Sequence, residues 1–201
     1  MRTLPAAILI RHAETPENRP DQKLMKGTRD YPLDERGKRE SVALAAHIAR
    51  FKPTVVLTSP LQRATHPAEM IARRAGVALH VMPELAPQDF GDWTGKSAAT
   101  HEPKLKKMFL ERPDDAPPGG ETARHFLETK VAPSYRKIKA LIAAGERPAV
   151  VTHSRNLREV DYGLHGGKPV DPTKGGPEPS GYALVDRKLR VKLHSAPATA
   201  A

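Results

Sequence analysis

The apolar residues of this chain gather into short runs, and three of these are β-branched enough to read as buried strands. They are "PAAILIRH" at 5–12, "PTVVLTSP" at 53–60 and "RPAVVTHS" at 147–154. Each is apolar on both alternating sets of positions, the pattern of a strand covered on both faces of a parallel sheet. "VALHVMPEL" at 77–85 is a weaker fourth strand. "GYALVDRKLRVKLH" at 181–194 has the alternation of a terminal hairpin turning near Asp186 and Arg187.

Helical spacing fills the intervals. Residues 35–50 follow Asp34 as a candidate N-cap and place Val42, Ala45, Ile48 and Ala49 on one face. Residues 60–75 follow Ser59-Pro60-Leu61-Gln62, a capping-box pattern with proline at the first helical position, and stop at Gly76. Residues 122–144 are helical in pattern, but Pro133 should kink or split them. A last helix is expected after His153. Strands alternating with helices predict a three-layer α/β/α sandwich with a mostly parallel central sheet. Long Pro- and Gly-containing loops occupy 13–33, 112–121 and 166–180, and loops of this length in a compact domain are more often functional than not. With no repeat and no linker, residues 1–201 read as a single domain, with a small cap from roughly 13–33 and 95–120.

Composition changes this picture little. The 201 residues carry 33 basic and 23 acidic side chains, a net charge of +10, which fits either an anionic substrate or nucleic acid. The scatter of basic residues among acids and the scarcity of aromatics argue against nucleic acid. There is no cysteine, so thiolate chemistry and disulfides are excluded, and a cytoplasmic setting is expected. The opening "MRTLPAAILIRHAE" reads as a first strand rather than a signal peptide, because Pro5 and Arg11-His12 interrupt it. No apolar stretch approaches the ~20 residues that span a bilayer, so no membrane partner is expected.

Two tempting motifs fail. "GDWTGKS" at 91–97 ends like a phosphate-binding P-loop, but only three residues separate Gly91 from Gly95 and no buried strand leads into it. The nine histidines show no metal-ligand spacing, and no metal or cofactor is expected. The strand ends are more informative. In open α/β sheets chemistry sits beyond the carboxyl ends of the strands. Those ends carry Arg11-His12, then Ser59 to Arg63, then His153-Ser154. Guanidinium groups there make a pocket for a tetrahedral anion, and a histidine within it can attack phosphorus.

These residues bring a family into view. "RHAETPEN" at 11–18 resembles the signature of the histidine phosphatase (phosphoglycerate-mutase-like) superfamily. The likeness continues through Gly27, Asp30, "PLDERG" at 32–37, "SPLQRATHPAEMIA" at 59–72, "PPGGET" at 117–122 and "VVTHSRNL" at 150–157. The resemblance implies that His12 accepts the phosphoryl group, that Arg11, Arg63 and His153 surround its oxygens, and that Asn18 and Ser154 add polar contacts. The implied substrate is a phosphorylated small molecule or a phosphoprotein.

One departure stands out. Many relatives read L-x-E-x-x-x-G here, with the glutamate protonating the leaving group. In "LAPQDFG" at 85–91 Pro87 takes that place. Asp89 is the first replacement considered, Glu84 the second and Glu121 the third. General acid catalysis is worth about 10²–10⁴-fold, so its loss would confine the enzyme to good leaving groups. Two alternatives stay open on this ground: a phospholigand-binding module without turnover, and a phosphoglycerate-type mutase. Arg19, Lys23, Lys26 and Arg29 in the first loop are either an entrance for polyanions or solvated charges.

Overall fold

The computed structural model describes residues 4–18 and 23–198. Six strands form one sheet in the order β3-β2-β4-β1-β5-β6, with β1 Ala7–Arg11, β2 Val55–Thr58, β3 Leu79–Val81, β4 Pro148–Thr152, β5 Tyr182–Val185 and β6 Val191–His194. The first four run parallel, and the C-terminal hairpin adds β5 and β6 antiparallel on the β1 edge. The sheet is therefore mostly parallel, in agreement with the pattern of apolar runs.

Alternation along the strands sorts the side chains into two cores. Ile8, Ile10, Val56, Ala149 and Val151 pack with Leu44, Ala45 and Ile48 of α1 (Glu35–Ala49) and with Ala64, Ala68 and Ile71 of α2 (Gln62–Ala75). Ala7, Leu9, Leu57 and Val150 face the other way, onto Phe109 of α3 (Ala98–Glu111) and Phe126 of α4 (Ala123–Phe126). The same core takes in Tyr135 and Ile138 of α5 (Ala132–Ala143) and Leu164 of α7 (Val160–His165). Helices thus cover both faces, which gives the three layers. Among the described residues no helix is long and apolar enough to cross a membrane.

Two local expectations need correction. Asp34 does cap α1, its Oδ1 accepting from Gly37 N at 2.8 Å, but Val42 is exposed. The buried stripe runs through Ser41, Leu44, Ala45 and Ile48, rotated one residue from the expected face. At α2 the N-cap position is Leu61 with no side-chain cap, and Ser59 serves elsewhere. The segment 122–144 splits as expected, through a π-helical turn at Leu127–Val131 just before Pro133. A third, small core joins Met25 of the first loop to Trp93, Ala98 and Leu105. It is reinforced by a Leu24–Ser97 bridge and by Met25 N donating to Lys96 O at 2.9 Å.

Candidate active site

Strand register assembles the site. β1 and β4 are parallel neighbours with Arg11 opposite Thr152, so the next residues, His12 and His153, emerge side by side. Their ring centroids lie 5.2 Å apart, and His12 N donates to Thr152 O at 3.0 Å. β2 flanks β4 on its other side, where Ser59 N donates to Val151 O, and this sets Ser59 against His153. The Ser59 Oγ to His153 Nε2 distance is 2.7 Å.

Each ring has one nitrogen fixed. His12 Nδ1 lies 2.7 Å from Ala13 O, a carbonyl that can only accept. Nδ1 therefore carries the proton, and Nε2 keeps a bare lone pair. The Ser59 hydroxyl accepts from Leu61 N at 3.4 Å, and among the described residues its hydrogen finds no acceptor other than His153 Nε2. That puts the His153 proton on Nδ1, which is buried with no partner among the described residues.

The environment is cationic. Burial holds both histidines well below the ordinary histidine range; Arg63, Lys26 and Arg11 lower the proton affinity of both, His153 lowers that of His12 as well, and Lys130 that of His153. Both are neutral at pH 7. Arg63, on the first turn of α2, is 1% exposed. It donates from Nη1 to Arg29 O at 2.7 Å and from Nη2 to Gly27 O at 3.0 Å. Arg11 donates from Nη1 to Pro177 O at 3.0 Å. Burial pushes both guanidinium groups down to about 10, so they remain cations at neutral pH. The Nε atoms of both are buried and have no partner among the described residues, as is the case for His153 Nδ1. Three buried donors around one histidine fit a tetrahedral anion, since donors left unpaired in a low-dielectric site are otherwise costly.

The loops are strapped to this centre. Glu40 of α1 accepts from Glu14 N, Arg36 Nε and Ser180 Oγ, tying the loop after β1 to the loop before β5. Arg158 of α6 (Ser154–Arg158) binds Pro172 O and Gly175 O, which holds the 166–180 loop. Segment Leu85–Gln88 is stitched by Thr152 Oγ1 to Leu85 O, Asn156 Nδ2 to Ala86 O, Lys130 Nζ to Pro87 O and Arg155 Nη2 to Gln88 Oε1. Pro87 is itself buried.

Among the described residues the remaining candidates make no side-chain hydrogen bond to either histidine. Asp89 Oδ1 accepts from Gly91 N at 3.0 Å in a local turn. Glu121 is committed to Asp89 N, Lys130 Nζ and His125 Nδ1, a structural post. Glu84 sits on a 3-10 turn and makes no hydrogen bond or ion pair among the described residues. Ser154 starts α6 immediately after His153. Asn18 closes a 3-10 turn, and its side chain lies outside the described residues, as does Arg19. Of the other first-loop cations, Lys23 pairs with Glu102 at 2.8 Å and Arg29 stacks on Tyr31. Lys26 alone of those described acts on both histidines.

Two residues gained roles that the sequence pattern had not given them. Ser59 orients His153, where local spacing had pointed to a helix cap. Lys26 joins the pocket, and its only signal in sequence was membership of a basic cluster.

A mostly parallel α/β sheet thus brings two neutral histidines and Arg11 to adjacent strand ends, with Arg63 supplied by the first turn of α2, as a candidate anion site. The chain belongs to the histidine phosphatase superfamily (branch 1), whose sequence pattern matches residues 7–171. It is 34% identical over 119 residues to a bifunctional protein of Mycobacterium tuberculosis, covering 57% of this chain and 32% of that one. The chain therefore spans about a third of the length of that relative. It is 27% identical over 179 residues to the glucosyl-3-phosphoglycerate phosphatase of Mycolicibacterium vanbaalenii, 84% of this chain and 78% of that one. In fold it resembles the native structure of a mycobacterial glucosyl-3-phosphoglycerate phosphatase, with TM-score 0.73 and 22% identity over 96% of this chain and 98% of the other.

Proposed function

We propose that this protein is a phosphomonoester hydrolase that works through a phosphohistidine on His12. The observation that carries this reading is the His12 ring itself: Nδ1–H is held on Ala13 O and Nε2 is left bare among buried cations. A neutral imidazole so fixed can attack phosphorus in line as the P–O bond to the leaving group breaks. Arg11 and Arg63 balance the charge on the phosphoryl oxygens, and His153 Nδ1–H offers a further hydrogen bond. Water then attacks the phosphohistidine and releases inorganic phosphate. No step requires a metal, because the protein's own cations supply the charge. The substrate class is a phosphorylated small molecule or a phosphoprotein. Similarity to enzymes named for glucosyl-3-phosphoglycerate favours a phosphorylated small molecule.

The test is phosphate release from an aryl phosphate in EDTA, comparing the protein with His12→Ala, together with trapping of acid-labile phosphoprotein. We expect release and a trapped adduct in the unaltered protein, and a loss of at least about 10³-fold in the variant. A second reading, a phospholigand-binding module, draws support from Pro87, which removes the usual acid. Inorganic phosphate bound by the protein with neither turnover nor adduct would select it.

A further inference from the structure

Loss of a carboxylic acid at position 87 leaves open which group protonates the leaving oxygen. The groups acting most strongly on His12 are His153 and cations, and on His153 cations alone, with no carboxylate among them. Asp89 has one carboxylate oxygen held by Gly91 N, and Glu121 is consumed by Lys130, His125 and Asp89 N. Lys130 is itself tied to Glu121 and to the Pro87 carbonyl. Lys26 differs from all of these. It is half-buried, and its ammonium makes no hydrogen bond or ion pair among the described residues.

The chain places it firmly. Met25, just before it, donates to Lys96 O and accepts from Gly95 N, and Gly27, just after it, accepts from Arg63 Nη2. Gly27 has a φ of 49°, and a Cβ there would meet Thr94 Oγ1 at 3.0 Å, so the backbone at 25–27 is wedged between Arg63 and the 90–97 loop. From this seat the Lys26 side chain reaches the same cluster as Arg11, Arg63, His12 and His153.

We propose that Lys26 is the proton donor to the leaving group, in the role from which Pro87 has removed a carboxylic acid. This rests on the reading of His12 as the phosphoryl acceptor. As His12 Nε2 forms its bond to phosphorus and the P–O bond breaks, the electron pair stays on the departing oxygen, which takes a proton from the Lys26 ammonium. In the second step the neutral amine takes a proton from the attacking water. The P–N bond breaks, its electron pair returns to Nε2, and the ammonium is restored. The charged groups acting on the Lys26 ammonium are Arg11, Arg63, Glu17 and Lys23, and it acts in turn on His12 and His153. Burial and the two arginines push its ammonium down to about 7, where a group can both give and take a proton at neutral pH. A lysine serving only as a charge would not need that.

The experiment is a leaving-group comparison on the whole protein: kcat/KM for an alkyl and an aryl phosphate, with Lys26→Arg beside the unaltered chain. Arginine keeps the charge but cannot give up its proton. We expect alkyl phosphate turnover to fall about 10²–10⁴-fold and aryl turnover less than about tenfold. The alkaline limb near pH 7 should also vanish from kcat/KM. Lys26→Gln, with its fold checked by circular dichroism, should show the same selective loss and covers the case of an arginine that does not fit. Equal losses on both substrates, or none, overturn the inference. So does a selective loss produced by Asp89→Asn instead, or an unaltered protein that cleaves only aryl phosphates. If no phosphohistidine forms on His12 in the unaltered protein, the underlying reading has failed. If it forms and the selectivity does not change, only the role of Lys26 has failed.

Discussion

The hydroxyl of Ser59 makes a direct case for how one atom sets the chemistry of a neighbour. Its oxygen accepts from Leu61 N and its hydrogen goes to His153 Nε2, so the His153 tautomer follows from a single serine. In Ser59→Ala the ring can exchange tautomers or rotate, and Nδ1–H is no longer assured to a phosphoryl oxygen. A neutral hydrogen bond of this kind is worth about 1 kcal/mol, so kcat/KM should fall about five- to tenfold. Stability should fall by about 1–3 kcal/mol, because His153 Nε2 and the Leu61 N–H lose their partner in a buried site. Steady-state rates with a thermal melt check this, and an unchanged kcat/KM would mean that the β4 backbone alone orients the ring.

At the scale of elements, the site depends on close approaches between segments distant in sequence. Gly37 in the first turn of α1 packs on the backbone of Glu14, and a Cβ there would meet Glu14 O at 2.1 Å. Its φ is ordinary for a helix, so the need is for space. Gly37→Ala must push α1 away from the loop that carries His12 and loosen Glu40 from Glu14 N. Overpacking of this kind costs about 1–3 kcal/mol, and kcat should fall with the melting temperature. A melting curve coincident with that of the unaltered protein would contradict the packing. The same scale decides what could be read in advance. Strands with unbroken apolar runs, and the Arg11-His12 and His153 strand ends, were legible because burial on both faces leaves a local pattern. Helix α3 was not, since Pro103 interrupts it and only Ala98, Leu105 and Phe109 are buried along it. Ser59 was misassigned as a cap because its real partner follows from the register of β2 on β4, a pairing across more than ninety residues. Lys26 could not be told from its basic neighbours because Lys23 and Arg29 find partners only in three dimensions.

For the molecule as a whole, a buried pocket of neutral histidines and crowded cations makes stability depend on pH in a definite direction. Burial depresses the folded-state proton affinity of His12 and His153, whereas in the unfolded chain each titrates near 6.5. Below about pH 6.5 the unfolded chain therefore binds up to two protons that the folded protein does not. Stability is fully present above that pH and falls below it, by up to about 1.4 kcal/mol per pH unit for each histidine. Lys26 acts in the same sense at higher pH. Its folded value is pushed from 10.5 down to about 7, so between those values the unfolded chain holds a proton that the folded one has released. Stability from this group rises with pH across that window. The melting temperature should climb from pH 5 to 7.5 and continue to rise more gently towards pH 9. Inorganic phosphate in the pocket should raise the whole curve by mass action. It should also flatten the alkaline part, because an anion beside Lys26 lets the ammonium keep its proton. Melting curves at constant ionic strength, with and without phosphate, measure all three effects. A melting temperature that stays flat from pH 5 to 7.5 would mean that the histidines take up protons without unfolding, which is incompatible with imidazoles held neutral by burial.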